Sequence, residues 1–317
     1  MTWVAWRQYR LELIIALVLL VALTAFLVPT GVQKLALFRD SDLMACLNSS
    51  TEDCSGLTRR FLESYGVLSG IVMWFVFTPA IIGMLLAAPI VLEFEQRTYR
   101  LAWTQSITRG RWLAVRLGLA LLGALAFAML LTPLTTWWFA PQDRLQDSFA
   151  TSFYLKGAMP FVYTVFTLAL ALVSGVLSRR TLLAMVVTVV GFLVAMLTIA
   201  NGLRPHYLPP IERIEPITAS SLSSTSSMVL PDRAWVVGSS IVDPEGNVVG
   251  EDEISRMCGP FGKQIVPCLQ ERGLKSRVVY HPANRFWTFQ AIEASIFLAA
   301  AAVLLGLTVW VVRRRMS

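Results

Sequence analysis

Charge is scarce in this chain. Only 15% of its 317 residues are Asp, Glu, Lys or Arg, against roughly 25% in a soluble domain. Histidine is scarcer still, with His206 and His281 alone. Two imidazoles without clustered acids do not make a metal site, and no Ser/His/Asp or Cys/His arrangement points to nucleophilic catalysis. The chain is therefore not expected to be an enzyme or to hold a metal. No G-x-x-x-x-G-K-[ST] run is present, since Gly259-Pro-Phe-Gly-Lys263 has the wrong spacing, so nucleotide chemistry within the chain is excluded. Ten-residue stretches of alternating polarity are lacking, which excludes a transmembrane barrel. No internal repeat suggests an inverted-repeat carrier. No small-residue cleavage site follows the first apolar run, which is expected to be a retained span and not a signal peptide.

What is abundant is long apolar sequence, with 56% hydrophobic residues. Six runs reach the roughly 20 residues that a bilayer crossing needs: 11–29, 67–92, 113–139, 157–177, 182–203 and 291–312. Arginine sets their direction. With the N-terminus inside, the inner segments hold twelve arginines against three acids, Glu12, Glu93 and Glu95, while the outer loops hold the other 15 basic and 17 acidic residues. Cytoplasmic loops carry such an excess, so both termini are expected in the cytoplasm. The net charge of +7 is then a property of the inner leaflet and needs no nucleic acid to explain it. Trp3, Trp6, Trp103, Trp112 and Trp310 fall near one interface and Trp137, Trp138 and Trp287 near the other, as amphipathic rings favour. Glu12 and Glu293 lie within a turn of span ends, where snorkelling is cheap; the alternative is the functional role that intramembrane carboxylates often have. Arg116 is expected to anchor at headgroups. Pro79, Pro89, Pro133 and Pro160 lie in or near spans and are expected to bend them.

The chain divides into residues 1–202, with five spans; 203–288, an outer insertion; and 289–317, the sixth span with a basic tail. All four cysteines fall on the predicted outer side: Cys46 and Cys54 in the first outer loop, Cys258 and Cys268 in the insertion. Short-range disulfides within each pair are expected in an oxidising compartment. Cross-pairing is the alternative, and the spacings are unlike those of zinc ligands. In the insertion, a Ser-rich stretch at 219–227 reads as a linker. Trp235-Val-Val-Gly-Ser-Ser-Ile-Val242, Asp243-Pro-Glu-Gly246 and Asn247-Val-Val read as a β-hairpin. The insertion is small for an independent core and is expected to lean on span ends, on its disulfide or on a second copy. The fold class is thus an all-α polytopic membrane protein: six transmembrane helices, both ends inside, and a disulfide-containing extracellular insertion of partly β character.

One inner segment, residues 93–112, is charged and aromatic between two spans. Glu93 and Arg97 are spaced i,i+4 with favourable polarity on a helix, and Phe94, Leu101, Ile107 and Trp112 provide an apolar side. Taken alone, this reads equally well as a loop held at headgroups. Its pattern E-x-E-x-x-T-x-x-L-x-x-T-x-x-x-x-R, at Glu93, Glu95, Thr98, Leu101, Thr104 and Arg109, resembles the first coupling helix region of type-2 ABC exporter permeases. So do Arg204-Pro-His-Tyr-Leu-Pro209, His281-Pro-Ala-Asn-Arg-Phe-Trp-Thr-Phe-Gln290 with Glu293, and the ending Val309-Trp-Val-Val-Arg-Arg-Arg315. Together these look like a bacterial subgroup with a large outer loop between the fifth and sixth spans.

The resemblance implies a permease subunit in the bacterial cell membrane that moves a hydrophobic or amphipathic cargo outward. It implies an ATP-binding cassette subunit as partner, holding ATP and Mg on that separate chain, and a second permease copy, identical or closely paralogous, in a lipid environment. Glu93, Glu95, Arg97, Thr98, Leu101, Thr104 and Arg109 would couple to the ATP-binding subunit. It leaves the substrate-binding residues unassigned. Two other classes stay open at this point: an ion-coupled secondary carrier, and a membrane-anchored sensor with an extracellular ligand-binding loop.

Overall fold

In a computed structural model of the chain, residues 2–40, 46, 55–98, 108–143, 145, 148–150, 152–217, 234–259 and 265–315 are described. Leu101, Thr104, Cys54 and the Ser-rich stretch at 219–227 lie outside them.

Six helices among the described residues are long and apolar enough to cross a membrane, and each of the six apolar runs maps onto one. The protein is a multi-pass membrane protein. The helices are α1 (Thr2–Asp40), α2 (Ser55–Met73) leading into α3 (Thr78–Gln96), α4 (Arg109–Asp143), α5 (Met159–Ser178) and α6 (Thr181–Thr198). The last is α9 (Phe286–Arg315), numbered after two short helices, α7 (Glu251–Cys258) and α8 (Ile265–Glu271), in the insertion. At 1.5 Å per residue the 39 residues of α1 extend to roughly 58 Å, nearly twice the roughly 30 Å of hydrocarbon. α1 therefore continues past the hydrocarbon as a stalk.

The second crossing departs from the single continuous run expected at 67–92. A 3₁₀ turn at Trp74–Phe77 separates α2 from α3. The physical reason is Pro79, in the first turn of α3. It lacks an N–H, and its ring would clash with the carbonyl one turn back. A bilayer helix survives such a break because its neighbours satisfy the freed groups.

α5 is the hub. Almost its whole circumference is buried, from Met159 to Val176, and it packs chiefly against α3 and α9. Glycine permits the closest approach: a Cβ on Gly83 would lie 2.0 Å from Thr167 Oγ1 and 2.6 Å from the Thr164 carbonyl oxygen. α6 is peripheral. Only Ala184, Thr188 and Phe192 are buried along it, one narrow i,i+4 stripe, while Leu182 is 84% exposed. In lipid an apolar outward face costs nothing, so helices need not bury all their leucines.

The insertion between α6 and α9 forms a four-stranded antiparallel sheet, with β1 (Ile211–Pro216), β2 (Trp235–Val242), β3 (Val248–Val249) and β4 (Lys275–His281) in the order β1-β4-β2-β3. The expected hairpin is β2–β3. Asp243 closes it by accepting from the backbone N–H groups of Glu245 and Asn247. α7 and α8 are stapled by the Cys258–Cys268 disulfide, with Cα atoms 5.8 Å apart. Their Ile254, Ile265 and Leu269 cover Ile241 of β2 and Val249 of β3. The partner of Cys268 is thus settled as Cys258, which excludes cross-pairing for these two; Cys46 is also disulfide-bonded.

The sheet does lean on span ends. Trp235 and His281 meet Phe289 of α9 at 5.9 and 4.9 Å between ring centroids, and Phe149 adds contacts to Trp235 and Phe286. Only a 3₁₀ turn, Ala283–Arg285, separates β4 from α9.

The glycine contact is testable. Gly83→Ala is expected to destabilise the purified protein by about 1–3 kcal/mol through overpacking. Gly118→Ala, whose added Cβ meets nothing within 4 Å, is expected to be neutral or stabilising. Thermal unfolding of the two variants in one detergent measures the difference.

Candidate functional site

Functional groups concentrate at the two ends of the bundle, with an apolar cleft between. At the end away from the sheet, α3 runs to Gln96 and Arg97 takes a left-handed conformation, φ 59°. Glu93 is buried and ion-paired with Arg116 of α4, itself buried. Arg116 also lies 5.7 Å from the centroid of Trp112, whose ring meets Phe94 edge-on at 5.9 Å. Two expectations change. No Glu93–Arg97 pair forms among the described residues, because Arg97 has left the helix. Arg116 does not reach for headgroups, since a carboxylate meets it inside the bundle. Glu93, expected among the coupling residues, is buried beside Arg116. Arg97 and Thr98 are exposed, and Arg109 opens α4.

Glu95, on the exposed side, reaches the start of the next hairpin. Its Oε2 accepts from the Thr181 backbone N–H at 2.9 Å and from the Thr181 hydroxyl. Arg180, at the N-cap position of α6, supplies no capping side chain, so Glu95 of α3 does what a local cap does elsewhere. A carboxylate there also suits the positive end of the helix dipole. The described residues expected to couple at the end of α3 therefore divide by what they meet: Glu93 meets α4, Glu95 meets α6, and Arg97 and Thr98 are exposed.

Between α3 and α6 lies a cleft of about 430 Å³ lined by Ile81, Met84, Leu85, Met185, Val186, Val189 and Val190. Every lining side chain is aliphatic or thioether. The cleft can bind by apolar contact and shape, and it supplies no group for fixing a charge.

At the sheet end, α6 passes through a π-helical turn, Ile199–Leu203, into a 3₁₀ turn at Arg204–His206. Such irregular turns often mark functional sites. Arg204 is buried and grips Glu293 of α9 with two bonds of 2.8 Å. Tyr163 of α5 donates to the same carboxylate at 2.6 Å. Phe153 and Tyr154 lie 4.3 and 4.5 Å from the guanidinium. The snorkelling expected of Glu293 does not occur, because a bidentate arginine satisfies it in place. The two segments that carried the family resemblance thus meet in space. Beside them Arg285 donates to Pro209 O at 2.7 Å and to His281 Nδ1 at 3.0 Å. That leaves Nε2 to carry the proton donated to Pro205 O at 3.1 Å. Burial, and secondarily the Arg285 charge, pull the His281 imidazole below its ordinary value, against the opposing bond to Pro205.

Lys34 lies past the end of the first apolar run, 11–29. It is fully buried on the α1 stalk, 3.8 Å from the Trp138 ring centroid, and it donates to Gln142 Oε1 at 3.0 Å. Glu12 is half-buried, and its Oε2 meets no donor among the described residues. No group of three or more His, Cys, Asp or Glu that could hold a metal occurs among them.

Residues 17–204, more than half of the chain, match the family model described as ABC-2 membrane transporter related. The chain belongs to that family, and so to the membrane part of an ABC transporter system that works with an ATP-binding partner. No curated protein and no solved structure matches the chain.

Two measurements probe the sheet end. Glu293→Ala leaves Arg204 buried without its partner and is expected to cost about 3–5 kcal/mol, whereas the double replacement Arg204→Met with Glu293→Leu is expected to cost much less; thermal unfolding of both variants reads this. His281 has a depressed native pKa, so its contribution is complete above the ordinary value of 6.5 and declines as pH falls below it, because the unfolded chain then binds the extra proton. A thermal melt across pH 5–8 is expected to show that decline in the unaltered protein and a smaller one in His281→Gln.

Proposed function

We propose that the chain is the permease subunit of an ATP-driven exporter in a bacterial cell membrane, carrying hydrophobic or amphipathic molecules out of the cell. Both termini and the elbow at 93–112 face the cytoplasm, and the disulfide-bearing insertion lies outside. A separate ATP-binding subunit grips Arg97, Thr98 and Arg111, exposed residues of the elbow that make no tie to another span among the described residues, and holds ATP and Mg. A second permease copy completes the pathway, since one six-span chain supplies half of it.

The observation that carries this reading is how the elbow is tied down. The Glu93–Arg116 pair joins α3 to α4, and Glu95 joins α3 to α6. A push on the exposed bend is therefore delivered to three helices at once, and a loop merely resting on headgroups requires no such ties. The apolar cleft supports the cargo class, because it offers contact area without a charged partner.

The test is copurification. The tagged permease is expected to retain an ATP-binding protein, and Thr98→Asp with Arg111→Glu, both at exposed positions, to release it without altering the fold. Retention by the double variant, or an ATP-binding protein never found with the unaltered chain, rejects the reading. A cysteine placed at Thr98 is expected to react with an impermeant maleimide only after the cells are opened.

A further inference from the structure

The fifth crossing is held differently from the others. Along its length α6 keeps one narrow buried stripe, Ala184, Thr188 and Phe192, and beside it lies the cleft shared with α3. That stripe packs on α5, where Phe192 meets Tyr163 at 5.6 Å between ring centroids, and the side-chain ties of α6 to α3 and α9 are at its two ends, both through carboxylates. Glu95 of α3 holds the first residue, Thr181, through the backbone N–H at 2.9 Å and the hydroxyl. Glu293 of α9 holds Arg204, just past the π-helical turn, through two 2.8 Å bonds.

The two attachments are unlike in kind. Glu293 is buried and is also bonded by Tyr163, a residue of the hub helix. Arg204 is further enclosed by two aromatic rings. This end is a fixed pin. Glu95 is exposed and sits one residue before the end of α3, where the chain turns into the elbow. This end is joined to the last turn of α3, next to the elbow.

We infer that Glu95 is a positioning residue that transmits movement of the elbow to the start of the fifth span, which then swings about the Arg204–Glu293 pin and changes the width of the cleft. Glu95 is not itself part of the surface that the ATP-binding subunit grips. The inference rests on the coupling reading above and assigns one of its residues a different task. A helix held by a thin stripe against α5 and by two end ties can rotate by a few degrees without stranding a charge, because the cleft on its α3 side is lined by apolar side chains alone. The irregular turn before Arg204 gives it a place to flex.

The experiment uses the intact transporter, permease with its copurified ATP-binding subunit, in vesicles. Val190→Cys, in the cleft wall, is labelled with a maleimide with and without ATP plus vanadate. The unaltered background is expected to show a nucleotide-dependent change in labelling rate. Glu95→Ala is expected to keep the ATP-binding subunit bound and hydrolysing ATP, yet to reduce the nucleotide-dependent change by about tenfold, within the usual range for coupling between sites. Glu95→Gln keeps an oxygen for the Thr181 N–H and is expected to lie between the two, which shields the result from a folding defect in the alanine variant. Thr181→Val, which removes only the hydroxyl donor, is expected to behave like Glu95→Gln. An undiminished change in Glu95→Ala overturns the inference. So does loss of the ATP-binding subunit from that variant, because Glu95 then belongs to the gripping surface. Failure of the Val190→Cys background to hold any ATP-binding subunit instead overturns the coupling reading, and this inference with it.

Discussion

A charge inside a membrane protein has no water to fall back on, and that constraint organises this molecule. Arg204 and Glu293 are each almost fully buried, and each is the other's solvation. Tyr163 completes the carboxylate, and aromatic faces close over the guanidinium. The rest of the sheet end is built around that pair. The sheet is joined to α9 by a single 3₁₀ turn, and Trp235, His281 and Phe289 stack at its base. The backbone before β1 is held by His281 and Arg285 through the carbonyls of Pro205 and Pro209. The insertion is small for a free-standing core, and these contacts, with the disulfide between α7 and α8, take the place of one. A buried pair of this kind is weak evidence for stability as such. Its structural consequence is position: it fixes where the fifth crossing ends relative to the fourth and sixth.

The opposite end repeats the theme with looser ties. Glu93 and Arg116 lock α3 to α4 inside the bundle, and Glu95 caps α6 from its exposed flank. Three helices converge on one short bend. Lys34 performs a similar service on the α1 stalk, where the Trp138 face and the Gln142 side chain hold its ammonium. Among the described residues the buried charges therefore sit at joints between helices, and the cleft between the joints is free of them.

Much of this architecture was legible in residue order. Each apolar run became one crossing, because a hydrocarbon slab demands length and composition and both are local properties. The hairpin around Asp243 was legible because the turn is made by the residues that form it. The Cys258–Cys268 bridge followed from short spacing. The partners of the buried charges were not legible. Helical spacing along the chain points Glu93 to Arg97, whereas Arg116 is 23 residues away and becomes a neighbour only when two crossings fold back on each other. Position near a span end points Glu293 to the interface, whereas its partner, Arg204, lies across an 89-residue separation. The break at Trp74–Phe77 was foreshadowed by Pro79, but whether a proline bends a bilayer helix or interrupts it depends on what packs beside it.

Residue order alone determined that this is a multi-pass membrane protein, which six segments are long and apolar enough to cross, and which segments are too charged to do so. Each follows from the free energy of moving a segment out of water, a sum over neighbours in sequence. Tertiary structure alone decided which charges neutralise each other, which carboxylate caps which helix, and where an apolar cleft remains between α3 and α6. Those depend on distances between residues far apart in the chain, and in a medium without water a few ångströms decide whether a charge is partnered or stranded.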